Sequence, residues 1–503
     1  MPLATVFTRA QCGLDAPEVA CEVHLAGGLP GLSIVGLAET AVKESRERVR
    51  AAIRQSGYEV PDGKITVNLA PADLPKTGNR FDLAIAIGIL AASRQLPQSR
   101  LTGVEFYGEL AFSGAIRPVR ALLPALQRAS ESDRYCIIPS ACEHDASLLP
   151  RARSRLAAHL TAVVRHLTDQ HCLSEAGPTE PTEYAADPRF DLADVRGQPL
   201  GRRALEIAAA GRHNLLMTGP PGTGKTMLAL RLPGLLPGLS EAQAVENLML
   251  ASLTGNETED CRRRPFRSPH HTASAVAIVG GGRPPHPGEI SLANHGVLFL
   301  DELPEFARNV LEALREPMES GVVSIARADH SVRFPARFQL VAAMNPCPCG
   351  FAGDEAHDCR CSPDRIQRYQ TRISGPLMDR LQLRVSVARC PPEIVARDAE
   401  QPQAESSAVV RSRVLSAVER QHARGAEPNG QLSPAQVKQW CRPDARGIEL
   451  LRRAAQKFAL SMRACDDTLR VARTIADLAE ADQVREQEIA EALALRGGLK
   501  ARR

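Results

Sequence analysis

Three stretches of this chain hold residue types that could do chemistry together. The first is the turn Gly219, Pro220, Pro221, Gly222, Thr223, Gly224, Lys225, Thr226. Its glycines let successive backbone N–H groups curl around phosphate oxygens, Lys225 can reach the β- and γ-phosphates, and the Thr226 hydroxyl can bind Mg²⁺. The second is the adjacent carboxylate pair Asp301 and Glu302. Asp301 suits the Mg²⁺ ion, and Glu302 suits polarising an attacking water, the feature that separates hydrolysis from mere binding. The third is Asn345, a polar residue placed to touch a γ-phosphate or orient that water. In this order the residues point to binding and cleavage of ATP with Mg²⁺.

Such residues work only at the carboxyl ends of neighbouring parallel strands. The sequence supplies these strands. Residues 214–218 (NLLMT) form a short apolar run that enters the glycine-rich turn and leaves it as the helical MLALRL, so the helix N-terminus adds its partial positive charge. Residues 296–300 (GVLFL) precede the carboxylates, and residues 338–343 (FQLVAA) lead to Asn345. Short apolar strands alternate with helices over 189–390, the pattern of a parallel α/β sheet. Residues 406–503 are helical in pattern. Linkers are expected at 171–188, around the Pro-, Glu- and Thr-rich SEAGPTEPTEYAADP, and at 391–405. Residues 1–170 carry mixed signals: an alternating strand at 18–24, an amphipathic helix at 40–56, and apolar segments at 64–69 and 81–90.

Composition narrows the classes of function. Hydrophobic content of 44% and charged content of 24% fit a globular protein, and 4% aromatics mean cores built from Ala, Val, Leu and Ile. A net charge of +4 is too small for a general polyanion binder, so any nucleic-acid contact must be a local basic patch. The N-terminal residues do not read as a signal peptide and no stretch is long and apolar enough to span a membrane, so a cytoplasmic location without a membrane partner is expected. Cysteines there read as thiols or metal ligands before disulfides. Of thirteen, four are grouped as Cys347, Cys349 and Cys359, Cys361, two CxC pairs nine residues apart with Gly350 and Gly353 between. Four thiolates satisfy tetrahedral Zn²⁺, with His357 as a substitute for one of them; a reduced thiol cluster or a redox pair are the alternatives.

The phosphate turn, the Asp-Glu strand, the Asn strand and a helical end, in that order, resemble AAA+ ATPases. Residues 287–306 (PGEISLANHGVLFLDELPEF), 314–328 (LREPMESGVVSIARA), 344–350 (MNPCPCG) and 373–383 (ISGPLMDRLQL) are similar to the bacterial magnesium-chelatase-like family known as YifB or ComM. That resemblance covers nearly the whole chain. It implies a P-loop core with a C-terminal helical lid, preceded by an α+β domain like that of Lon proteases, of the ribosomal S5 domain 2-like type. It further implies that Arg380 is an arginine finger for the neighbouring subunit, that Arg463 is the second sensor arginine, and that 195–198 (VRGQ) lies near the adenine. A finger acting across a subunit boundary implies a ring, with a homo-hexamer the expected form. Residues 320–336 read as two short strands around a polar turn and resemble a pore hairpin, with Arg327 and Arg333 as the DNA-contacting cations. The stretch Arg264 to Thr272, with His270 and His271, is expected near the pore or a subunit interface rather than at a metal.

In Lon-like peptidases a nucleophilic Ser and a Lys base must lie within hydrogen-bond reach. Those positions fall at about Arg80 and Leu123, so no peptidase activity is expected. The motif Lys76-Thr77-Gly78-Asn79-Arg80 is similar to a DNA-serving loop in a related recombination protein, which makes this domain a candidate for DNA binding or for templating the ring. The resemblance implies a motor that drives branch migration of branched or single-stranded DNA, without sequence preference, during recombination in natural transformation. A chelatase-type protein remodeller is the alternative, and the extra N-terminal domain argues against it. A Lon-like protease is opposed by the missing Ser–Lys pair, and a non-hydrolysing scaffold by Glu302.

Overall fold

The structure, a computed structural model, describes residues 3–37, 39–177, 189–255, 263–282, 285–326, 331–389, 404–425 and 427–496. The N-terminal part is built on a seven-stranded sheet. Its strands lie in the order Gly31–Val35, Lys64–Ala70, Glu18–Ala26, Leu3–Arg9, Val104–Phe106, Tyr135–Pro139, Ser154–Ala157. Alternating burial along Leu3–Arg9 and Lys64–Ala70 gives each strand one core face. The apolar segment at 81–90 is a helix, Asp82–Ala92, and every residue in it is buried. A run apolar on all sides cannot present a wet face, so it becomes the central core helix. Gly88 lets it lie close on the sheet: a Cβ there would come within 2.6 Å of Val23 Cγ2.

The second part holds a five-stranded, wholly parallel sheet in the order Phe266–Arg267, Val297–Leu300, Gln339–Met344, Leu215–Thr218, Leu383–Ser386. The central strands are buried on both faces, as continuous apolar runs in parallel sheets must be. The chain order reverses beside Leu215–Thr218, which sits between the Asn strand and the last strand. That reversal opens a crevice at the carboxyl ends. The C-terminal part consists of helices Ser407–Ala423, Pro434–Trp440, Ala445–Phe458, Met462–Leu478 and Glu486–Ala494. All but Pro434–Trp440 share one core with helix Pro199–Gly211 and the sheet, and Pro434–Trp440 packs through Val437 with Leu432 and Cys441.

The N-terminal part docks through apolar contacts. Helix Leu123–Glu131 meets helix Glu241–Thr254 around Leu123, Leu126 and Leu248. Gly13 fits against the Val332 and Phe334 side chains of the hairpin Val322–Ala326/Ser331–Pro335. Most of the stretches read as linkers, and Arg327, lie outside the described residues. No described helix is long and apolar enough to cross a membrane.

Candidate nucleotide site

The phosphate turn leaves strand Leu215–Thr218 and opens helix Lys225–Ala229. Gly222 and Gly224 adopt φ of +76° and +87°, and no atom lies within 4 Å of where their Cβ would be. The turn is therefore a cradle with open faces. Lys225 is buried, donating to the carbonyls of Gly219 and Pro220 at 2.8 Å each and to Asn345 Oδ1 at 3.2 Å. Burial lowers its pKa, and Asp301 and Glu302 partly offset the effect. Thr226 Oγ1 donates to Asp301 Oδ2 at 2.7 Å, so two hard oxygen ligands for a divalent cation are already adjacent. Asp301, Glu302, Lys225, Thr226 and Asn345 thus converge as the sequence order suggests. The open cradle and this donor pair fit ATP and Mg²⁺.

Glu302 has φ of +53°, a left-handed conformation that a non-glycine residue holds only when its surroundings fix it. Its backbone N–H donates to Asp301 Oδ1 at 2.9 Å. Its side chain is half exposed and its Oε2 lies 3.1 Å from His271 Nδ1. His271, in the stretch Arg264 to Thr272, therefore lies against the nucleotide site. Gln198 Nε2 donates to Thr223 O at 3.3 Å and to Ala388 O at 2.5 Å, which places Gln198 against the phosphate turn.

Arg380 and Arg463 meet at one carboxylate. Glu319 Oε1 lies 2.7 Å from Arg380 Nη2 and 2.7 Å from Arg463 Nη1, and hydrogen bonds from the two arginines hold the Glu319 pKa down. Arg380 also donates to Pro376 O at 2.7 Å. Within one chain, then, both arginines converge on a carboxylate outside the cradle. The four grouped cysteines have their sulfurs all within 4.8 Å of one another. His357 is not among them: it pairs with Asp354 at 3.1 Å and stacks on Phe351.

Known proteins can be set beside this geometry. The family model "Magnesium chelatase, subunit ChlI" matches residues 191–395, "Subunit ChlI of Mg-chelatase" matches 21–142, and "Magnesium chelatase, subunit ChlI C-terminal" matches 404–496. The uncharacterized protein YifB of Escherichia coli is 48% identical over 99% of this chain and 97% of its own length. Competence protein ComM of Haemophilus influenzae is 47% identical over 99% of this chain and 98% of its own. The chain belongs to this magnesium-chelatase-like AAA+ family. Membership supports an ATPase and implies ATP and Mg²⁺. The magnesium-chelatase 38 kDa subunit of Rhodobacter capsulatus is 29% identical over only 40% of this chain and 60% of its own length.

Arg333 is exposed on the hairpin's return strand, opposite Ser324, while Val323, Ile325, Val332 and Phe334 turn inward. In the N-terminal part, the Arg80 guanidinium donates to the carbonyls of Arg120 and Ala121, just before buried Leu123. Buried Arg80 thus sits against the segment that leads into buried Leu123. Lys76 is fully buried and donates to Pro71 O. Neither Lys76 nor Arg80 presents its charge to an outside phosphate, which removes the basis for that motif as a DNA contact. Sequence reasoning missed Glu319, the His271–Glu302 pair, and Tyr369, whose hydroxyl accepts a hydrogen bond from the Asn345 backbone. Only His271 carried a signal, the His pair beside the sheet.

Proposed function

We propose that this protein is one subunit of a ring-shaped, ATP-hydrolysing motor on DNA, acting in branch migration during recombination of incoming DNA. The observation that carries the reading is the pairing of an open, carboxylate-lined phosphate cradle with full-length similarity to a competence protein. Thr226 and Asp301 would hold Mg²⁺, which would supply charge neutralisation at the phosphates. Lys225 holds the β- and γ-phosphates. Glu302 takes the proton of the attacking water, and Asn345, fixed by Lys225 and Tyr369, orients that water. Arg380 serves the neighbouring subunit's site in a hexamer, and Arg463, bound to the same Glu319 carboxylate, is the second sensor arginine. Arg333 on the hairpin, together with Arg327, grips DNA phosphates, which positions a strand without reading its sequence. The N-terminal Lon-like domain, docked on the hairpin through Gly13, carries no peptidase pair and acts as a template for the ring.

The chelatase-type alternative draws on the name of the model that matches residues 21–142. Against it stands alignment: the Rhodobacter capsulatus chelatase subunit covers two-fifths of this chain, whereas YifB and ComM cover nearly all of it. The test is ATP turnover with and without forked or four-way-junction DNA, with Glu302→Gln, slowed about 10²–10⁴-fold, as the blank. Several-fold stimulation that falls with added salt and is lost in Arg327→Ala is expected. Turnover indifferent to every DNA would overturn the DNA motor and favour protein remodelling.

A further inference from the structure

We propose that Cys347, Cys349, Cys359 and Cys361 hold one structural Zn²⁺ that fixes the Asn345 end of the nucleotide site. The sulfurs of Cys347 and Cys349 lie 3.3 Å apart, those of Cys347 and Cys359 3.7 Å, and those of Cys349 and Cys359 3.6 Å. A disulfide needs about 2.05 Å. A tetrahedron of sulfurs around zinc, with bonds of about 2.3 Å, has edges of about 3.7–3.8 Å. The group is thus already at coordination spacing, not bonding spacing, and all four cysteines are free.

The surroundings supply an outer-shell donor: the Ala352 N–H donates to Cys347 Sγ at 3.3 Å, as neighbouring polar groups do to metal-bound ligands. His357, the other candidate ligand, is held away by Asp354, which Arg389 also clamps at 3.2 Å. Zinc binding replaces four thiol protons and leaves a tetrathiolate complex, with no oxidant or reductant required.

The metal would act on catalysis through Gly350. This residue, at φ +88°, turns the chain between the first CxC pair and the rest of the loop. A Cβ there would come within 2.7 Å of the Pro221 ring in the phosphate turn. Cys347 follows Asn345 by two residues, and Gln370 Nε2 donates to the intervening Pro346 O at 3.0 Å. The cysteine loop thus bears on the phosphate turn and on the Asn345 strand tip together. This coupling rests on the ATPase reading; the metal site does not.

Elemental analysis of the full chain, purified in reductant without chelator, should find about one zinc per chain. Exchange with Co²⁺ should give the d–d and thiolate charge-transfer bands of a tetrahedral sulfur site. Cys359→Ser with Cys361→Ser should lose both signals and slow ATP turnover several-fold while fluorescent-nucleotide binding persists. Absence of zinc in the native protein, with no uptake by the reduced protein on titration, would overturn the site. Zinc present but turnover unchanged in the folded double variant would overturn the coupling. Neither readout involves DNA, so failure here is distinct from failure of the DNA motor.

Discussion

Lys225 and Arg80 are both buried cations beside a sheet, and only the first lies in the candidate nucleotide site. Lys225 and Arg80 each donate to two backbone carbonyls, and burial lowers the pKa of each, to about 10 for Arg80. The difference lies in what surrounds them. Buried Arg80 rests on the Arg120 and Ala121 carbonyls, while Asp82, two residues on in sequence, is held by Arg48 and the Leu110 N–H. Beside Lys225, Glu302 is half exposed, and Gly222 and Gly224 face open space. A buried cation held only by backbone carbonyls of its own fold serves that fold. One left with uncommitted partners and room beside it can take a ligand.

Exchanging the two cations gives the largest expected effect. Lys225→Ala should lower ATP turnover about 10²–10³-fold, the usual loss for one donor to developing charge, with little change in thermal midpoint. Arg80→Leu should do the reverse. It strands two buried carbonyls, lowering stability by about 1–3 kcal/mol, while turnover per folded molecule holds. Turnover assays paired with denaturant melts check both. A folded Arg80→Leu protein with abolished turnover would break the comparison.

The same contrast explains what could be read from the sequence. The strands before the phosphate turn, the carboxylates and Asn345 announce themselves as apolar runs, and the structure has them at Leu215–Thr218, Val297–Leu300 and Gln339–Met344. Helix Thr40–Gln55 follows its amphipathic period within a residue. Residues 81–90 left strand and helix undecided, because a uniformly apolar run has no period to read. The inward turn of Lys76 and Arg80 could not be seen, since their partners are backbone carbonyls that sequence does not display. Glu319 is invisible for another reason: it gains meaning only where Arg380 and Arg463, distant in sequence, arrive at the same oxygen.

Glu319 sharpens the comparison further, for it is an anion shared by two arginines. Glu319→Gln keeps the shape but removes the charge that positions them. If Arg380 serves a neighbouring site and Arg463 is the second sensor, loss of that positioning should lower turnover of the assembled ring roughly tenfold, because a misplaced charge stabilises the transition state poorly. Nucleotide affinity measured on the single chain should not move. Unchanged turnover at full ring occupancy would show that Glu319 merely neutralises a surface pair.

The smallest effect separates the two halves by pH. His213, fully buried beside the nucleotide sheet and bonded through Nε2 to Thr474 Oγ1 at 2.8 Å, is pushed down to about 3 by desolvation. Its unfolded value is near 6.5, so between these pH values the unfolded chain binds the extra proton. Its contribution is full above pH 6.5 and is lost as pH falls, by about 1 kcal/mol from pH 6.5 to 5.5. Asp82, in the N-terminal half, is raised to about 6 by burial despite Arg48. There the folded state binds the extra proton between about 3.8 and 6, so its contribution grows as pH falls through that window. Calorimetry at pH 6.5 and 5.5 should therefore show the nucleotide-half transition dropping relative to the N-terminal one. His213→Gln should shrink the gap that acid opens, and Asp82→Asn should remove the opposing slope. Transitions that fall in parallel in all three proteins would mean that neither buried group sets the acid response of its half.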